Sequence, residues 1–240
     1  MLPLISVIVP SYNHAESLPG CLDAIFSQTY QPLEVIVVDD GSTDNTQAVL
    51  VPYLDRIKLV TQENSGSNPA RNAGYAASTG ELLIFCDADI LMEPSMIAQL
   101  YQALLDEPTA SFAYCGFTFG WKTFKGVPWD AQRLLRHNYI HTTSLVRRAD
   151  FPGFDNSVRR LQDWDVWLTM LKNGKHGVLV PEILFGAAIV GKSRIGTSWL
   201  PRLAYKLPWQ MIGWKPKSLE KYQVARDELR KKHADITESV

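Results

Sequence analysis

The chain has 240 residues, a formal net charge of −1, 46% hydrophobic residues and 20% charged ones. That length suffices for one large α/β domain with an appendage. The balance is ordinary for a soluble globular protein and offers no overall basic excess for nucleic acid. Cys21, Cys86 and Cys115 have no metal-ligand spacing and read as reduced core thiols, which fits a cytoplasmic protein. The start, "MLPLISVIVPSYN", lacks a basic n-region, so no secretory signal is expected. There is no apolar run of about 18 residues to span a bilayer.

In chain order, "ISVIVP" (5–10) reads as a buried strand. Leu18, Leu22, Ile25 and Phe26 recur at helical spacing between Glu16 and Gln28. "LEVIVVDD" (33–40) is a second strand, "DNTQAVLVPYL" a helix, and "IKLVT" (57–61) a third strand. In "GSNPARNAGYAAS", Asn68 is the expected N-cap and Pro69 the first helical residue, with Arg71 in the first turn. "ELLIFCDAD" is a fourth strand, and a helix follows from about Pro94 to Leu105. Strands alternating with helices predict a parallel sheet covered on both faces. Beyond residue 110, "SFAYCGFTFGW" alternates like a half-exposed strand, 121–160 is loop-rich, "QDWDVWLTMLKNG" is a helix stopped by Gly174, and "GVLVPEILF" is a late strand.

Ligands of such sheets bind at the carboxyl ends of the strands, near a switch in strand order. The polar residues to examine are therefore Pro10 to Asn13, Asp39 to Asp44, and Asp87 to Asp89. If the fourth strand runs through "CDAD", Asp87 and Asp89 share a face and repel unless a cation lies between them. Hard divalent ions are held in this way, by one or two carboxylates plus substrate phosphates; a solvated turn is the plainer alternative. Asp44 or Ser42 suits a turn cap, which leaves one of Asp39 and Asp40 to accept hydrogen bonds from a base or ribose. "VPSYNHAES" has no glycine, which argues against a dinucleotide fingerprint and against a sugar nucleotidyltransferase, whose loop here would be glycine-rich and basic. Arg71 either pairs with a nearby acid or contacts a donor's base or phosphate.

The segments 5–46, "NSGSNPARNAG", "GELLIFCDAD" and "GFDNSVRRLQDWDVWLTML", in this order and at this spacing, resemble family 2 glycosyltransferases over about residues 4 to 185. The resemblance implies an α/β GT-A-type, mostly parallel nucleotide-binding sheet flanked by helices. It also implies an inverting, non-processive, metal-dependent enzyme that moves one sugar from a nucleotide-sugar, UDP-linked by expectation, to a glycan or lipid-linked acceptor. By that resemblance Pro10 and Tyr12 flank the base, Asp40 bonds its edge, and Arg71 lies near the donor. Asp87 faces the ribose and the metal (Mn²⁺ or Mg²⁺), Asp89 is the principal metal ligand, and Asp163 is the catalytic base. Asp165 is equally eligible as an acid at the start of that helix. Gln162 and His14 stand where the family often has glutamate. His141 either lines the acceptor pocket or is structural, with the structural reading favoured. A non-catalytic, sugar-nucleotide-binding relative is the competing reading; Asp87, Asp89 and Asp163 together argue for catalysis.

The expected domain is 1–190, with a donor half to about 110 and an acceptor half from about 111. Residues 191–240 form a basic, aromatic C-terminal extension. Residues 1–189 carry 13 Lys/Arg against 20 Asp/Glu, and 190–232 carry 11 against 3. Between 199 and 217, Trp199, Trp209 and Trp214 accompany four bases. Such a mixture suits peripheral contact with the inner face of a membrane, or an arm packed on the domain. "SLEKYQVARDELRKKH" reads as a terminal helix solvated on one face.

Overall fold

The β-branched runs of the first half form strands where the sequence places them. A computed structural model describes residues 1–187 and 217–237. Strands β1 (Ile5–Ser11), β2 (Leu33–Asp39), β3 (Lys58–Thr61) and β4 (Leu82–Phe85) alternate with helices α1 (Leu18–Phe26), α2 (Thr46–Leu50) and α3 (Ser67–Ala77). They are all parallel: β1 pairs with β2 on one side and β4 on the other, and β3 pairs with β2. Pro52 limits α2, which passes into a 3-10 turn at Val51–Tyr53.

The second half makes the sheet mixed rather than parallel throughout. It comprises β5 (Ile90–Met92), α4 (Met96–Asp106), β6 (Phe112–Phe119), β7 (Lys122–Phe124), α5 (Ala131–Arg136), β8 (Leu145–Arg147), α6 (Gln162–Lys172) and β9 (Gly177–Ala187). The order is β3-β2-β1-β4-β8-β6-β9-β5, with β7 on β6. Strand β8 runs antiparallel to both β4 and β6, and β5 antiparallel to β9. Phe112 to Gly116 are all buried, so β6 is a central strand and not the half-exposed one its alternation suggests. Helices on both faces account for this, because its neighbours β8 and β9 are themselves covered.

One core cluster lies between the sheet and α1 and α4, through Leu18, Leu22, Ile25, Ile97 and Leu100. The other lies beneath α3 and α6, through Ile8, Val38, Phe112, Trp164 and Trp167. The terminal helix α7 (Lys217–Lys232) joins this second cluster through Leu229. No helix among the described residues is long and apolar enough to cross a membrane. Trp199, Trp209, Trp214 and the membrane contact expected of 199–217 fall outside the described residues.

At the amino ends of the strands, Glu34 accepts hydrogen bonds from the hydroxyls of Ser6 and Thr79 and from the backbone N–H groups of Thr79 and Gly80. Burial acts to raise the Glu34 carboxyl, but these donors outweigh it and hold it below its ordinary value.

Helix α3 is drawn close to the sheet by Gly74. A Cβ there would lie 2.4 Å from Ile8 Cγ2 and 3.0 Å from Val38 Cγ2. Gly74→Ala should therefore cost about 1–3 kcal/mol through overpacking, read as a lower denaturant midpoint at unchanged slope. Arg71 sits one turn before Gly74, so the same variant should displace Arg71 as α3 lifts.

Candidate active site

The strand order reverses at β1, whose neighbours β2 and β4 are reached in opposite directions along the sheet. The loops that leave the carboxyl ends of β1 and β2 are tied together. Asn13 Oδ1 accepts from the backbone N–H groups of Thr43 and Asp44 at 2.7 and 3.2 Å. Its own N–H donates to Ser42 Oγ at 3.0 Å. Asn13 sits at φ +58°, a left-handed conformation that asparagine tolerates. Asp44 is the turn cap, accepting from the Thr46 N–H at 2.9 Å and from the Ala15 N–H at 3.0 Å.

Pro10 and Tyr12 lie on this rim, with Tyr12 45% exposed. Asp39 is buried and accepts from the Ser42 N–H at 2.9 Å. Asp40 is buried too, and its two oxygens take three hydrogen bonds. These come from Gln62 Nε2 at 2.7 Å and from the Ser65 and Gly66 N–H groups, each at 2.9 Å. Asp40 thus shapes the 62–66 loop that walls the cleft. Ser11 Oγ and Arg71 Nε are buried without a hydrogen-bond partner among the described residues.

Helix α3 distributes its residues differently from the sequence-based expectation. Its N-cap is Gly66 (φ +98°), and no side chain caps it. Asn68 is already helical and instead holds the 154–158 loop, donating to the carbonyls of Asp155 at 2.8 Å and Val158 at 3.0 Å. Asn72, one turn on, donates to the Phe154 carbonyl at 2.8 Å. With Ser67 as its first residue, α3 places Arg71 fifth, beyond the first turn. There it makes a 2.7 Å ion pair with Asp87.

Asp87 and Asp89 converge, but not by strand alternation. Strand β4 ends at Phe85, where its ladder to β1 stops. Both acids lie in a turn closed by the Ile90 N–H donating to the Asp87 carbonyl at 3.0 Å. Burial acts to raise the Asp87 carboxyl, but Arg71, then His141 and His14, outweigh it and leave it below its ordinary value. Asp89 goes the other way, raised by burial and by the charge of Asp87. No group of three or more His, Cys, Asp or Glu side chains poised to hold a metal occurs among the described residues.

His141 stands among the acids. Burial lowers its pKa, while Asp87, Asp163 and Asp89 act in the opposite sense. Its ring lies 5.1 Å from each of the rings of Phe117 and Phe185. Its Nδ1 accepts from the Thr143 N–H at 3.1 Å, a bond that leaves Nε2 as the protonated nitrogen of the neutral ring.

Asp163 is the second residue of α6. Asn138 Nδ2 donates to its Oδ2 at 2.6 Å, and the Trp164 N–H to its Oδ1 at 2.9 Å. Burial is the dominant influence and raises its pKa. Asp165, the competing acid, faces away from this group. It is 3% exposed and engaged by Lys232 Nζ and His233 Nε2, each at 2.8 Å. Gln162 Nε2 donates to Ser67 Oγ at 2.8 Å, joining the first residues of α6 and α3. His14, where the family often has an acid, instead puts a base near Asp87 and Asp89.

The structure thus brings Arg71, Asp87, Asp89 and Asp163 within electrostatic reach of His141. Sequence reasoning missed Asn138; its place within "HNYIH", beside two histidines, was the available signal.

Residues 6–158 match the family model described as Glycosyl transferase family 2, and the chain belongs to that family. It is 30% identical over 212 residues to a glycosyltransferase of Rickettsia typhi, covering 80% of this chain and 64% of the relative. It is 39% identical over 111 residues to the glycosyltransferase GlyG of Streptococcus pneumoniae, covering 45% of this chain and 37% of the relative. The chain therefore spans less than two thirds of the length of either curated relative. Among solved structures, S. aureus TarS 1–349 superposes with a TM-score of 0.66 at 22% identity, over 77% of this chain and 60% of that one. The mannosyltransferase PcManGT of Pyrobaculum calidifontis, in complex with GDP-Man and Mn²⁺, gives 0.67 at 24%, over 96% and 70%. At these identities the likeness is one of fold.

The raised pKa of Asp163 carries a stability consequence. Its folded value lies above its unfolded one, so the ionised carboxylate costs stability at neutral pH, and the cost fades as pH falls through the carboxylate range. Asp163→Asn should stabilise the fold at pH 7 by about 0.5–2 kcal/mol. The gain should shrink in acid, as measured by thermal unfolding at both pH values.

Proposed function

We propose that the protein is an inverting, non-processive glycosyltransferase of GT-A type. It moves one sugar from a nucleotide-sugar to the hydroxyl of a glycan or lipid-linked acceptor. The observation that carries this reading is the set Arg71, Asp87, Asp89, His141 and Asp163 at the carboxyl ends of β1, β2 and β4, within a chain of glycosyl transferase family 2. Structural neighbours were solved with UDP-GlcNAc and with GDP-Man and Mn²⁺, and the proposed donor is a UDP-sugar. Pro10 and Tyr12 flank the base. Asp40 supports the facing 62–66 loop and retains an acceptor position for the base edge.

The acid pair fits a divalent cation. Asp89 is raised by burial and by Asp87, an uncompensated repulsion that Mn²⁺ or Mg²⁺ would relieve. Asp89 would be the principal protein ligand, with Asp87 beside it, and donor phosphates would complete the oxygen set. The ion would neutralise charge on the departing diphosphate. The protein's own part is then positional and basic. Arg71 fixes Asp87 at 2.7 Å, and Asn138 orients Asp163. Asp163 accepts the acceptor hydroxyl's proton as that oxygen attacks the anomeric carbon from the side opposite the diphosphate. The neutral His141 lines the wall between acids and acceptor, where its Nε2–H can donate to a sugar hydroxyl.

Calorimetric titration with UDP and GDP, in Mn²⁺ and then in EDTA, tests the donor half of this reading. Tight binding of one nucleotide that EDTA abolishes is expected; no binding of either in Mn²⁺ would overturn the account. Asp163→Asn should lower turnover by about 10²–10⁴-fold while donor affinity holds. Because burial raises Asp163 and only its carboxylate acts as base, the acid limb of kcat should lie at higher pH than an ordinary aspartate would give.

A further inference from the structure

Helix α7 ends against the segment that carries Asp163, and the contact is made by charges. Lys232 Nζ reaches two acids, Asp155 at 2.6 Å and Asp165 at 2.8 Å. His233 Nε2 adds a second bond to Asp165 at 2.8 Å, with both side chains only 4% exposed. Asp165 lies two residues after Asp163 on the same helical turn. Asp155 opens the loop that leads into α6, and there it accepts from the Ser157 N–H and hydroxyl at 2.8 and 2.6 Å. Its hydrogen bond with Lys232 is the first of the influences that hold its carboxyl well below the usual range.

This segment needs holding. Leu161, the N-cap of α6, has φ +56° and ψ +36°, a left-handed conformation that is unfavourable for a residue bearing a Cβ. From one side the loop is gripped by Asn68 and Asn72 of α3, and Asn68 Oδ1 also accepts from Arg71 at 3.4 Å. From the other side it is gripped by Lys232 and His233. Apolar burial contributes to the docking of α7 as well, since Leu219, Ala225 and Leu229 are buried and Leu229 joins the core cluster under α6. A buried acid is costly unless paired, so the placement of Lys232 and His233 specifies one geometry more than it adds adhesion.

We infer that Lys232 and His233 are positioning residues for Asp163. Through Asp155 and Asp165 they fix the 155–163 segment, so the terminal helix is a working part of the catalytic apparatus. The inference rests on Asp163 being the base. An ångström of misplacement at a reacting group costs up to about 10²-fold in rate, which sets the size of the expected effect.

The test uses the full chain and follows UDP release from UDP-GlcNAc and GDP release from GDP-mannose. It is paired with amide hydrogen exchange, which needs no substrate. Lys232→Met and His233→Ala should lower kcat by roughly 10–100-fold with donor KM nearly unchanged, and Lys232→Arg should recover most of the loss. Lys172→Ala removes the exposed 2.8 Å pair with Asp235 at the far end of the same contact and should leave kcat as it was. In Lys232→Met, exchange should rise over 155–166 while the amides of α7 and β1 stay protected. Turnover that survives Asp163→Asn would overturn the base assignment. Turnover abolished by Asp163→Asn yet intact in Lys232→Met would overturn the positioning role and leave the base in place. Unchanged exchange over 155–166 in Lys232→Met would overturn it whatever the turnover. A loss that Lys172→Ala shares and Lys232→Arg does not repair would reduce the contact to ordinary docking.

Discussion

Arg71 and Asp87 meet at 2.7 Å, and the cleft takes its form from that contact. Three acids, Asp87, Asp89 and Asp163, are gathered where burial penalises charge, and Arg71 is the guanidinium among them. Arg71 reaches the pair from a buried position, 5% exposed, and the close approach of Gly74 to Ile8 and Val38 keeps α3 low enough to make it. Arg71 holds Asp87 ionised, burial and the charge of Asp87 raise Asp89, and burial raises Asp163. In the proposed reading one acid is held by the protein, one suits a cation, and one serves as the base. The environment divides the labour among chemically identical side chains.

Much of this was legible because it depends on short-range pattern. The β-branched runs of β1, β2 and β4 and the acids that follow them are local features, and they point to the carboxyl edge without any knowledge of tertiary contacts. Long-range pairing was not legible in the same way. The alternation of 111–121 suggested an exposed face, yet β6 is central because β8 and β9 arrive beside it from far along the chain. Asn68 reads as an N-cap by propensity, but its amide is drawn to the carbonyls of Asp155 and Val158, some 90 residues away. The strand through "CDAD" stops early: β1 continues to Ser11, but its ladder to β4 ends at Ile8 and Phe85, and the chain then turns.

The choice between Asp163 and Asp165 shows the same limit at the site itself. Both sit in the first turn of α6, and nothing local separates them. What separates them is the far end of the chain, where Lys232 and His233 occupy Asp165 and leave Asp163 to Asn138 and the cleft. Gln162 belongs to this logic too. As a glutamate it would add a further charge beside Asp163; as a glutamine it bonds Ser67 and joins two helix starts.

Glu34 draws four donors at the amino edge of the sheet, whereas the carboxyl edge keeps Ser11 Oγ and Arg71 Nε without partners among the described residues and an acid pair in repulsion. The two ends of the same strands therefore answer to different demands, one closed and self-sufficient, the other left open to its ligands. Substitutions at the open rim can retune which sugar is accepted without loosening the anchor at Ser6, which lies at the opposite end of β1 from Ser11. Within such a fold, donor and acceptor preference can diversify among relatives while the architecture stays the same.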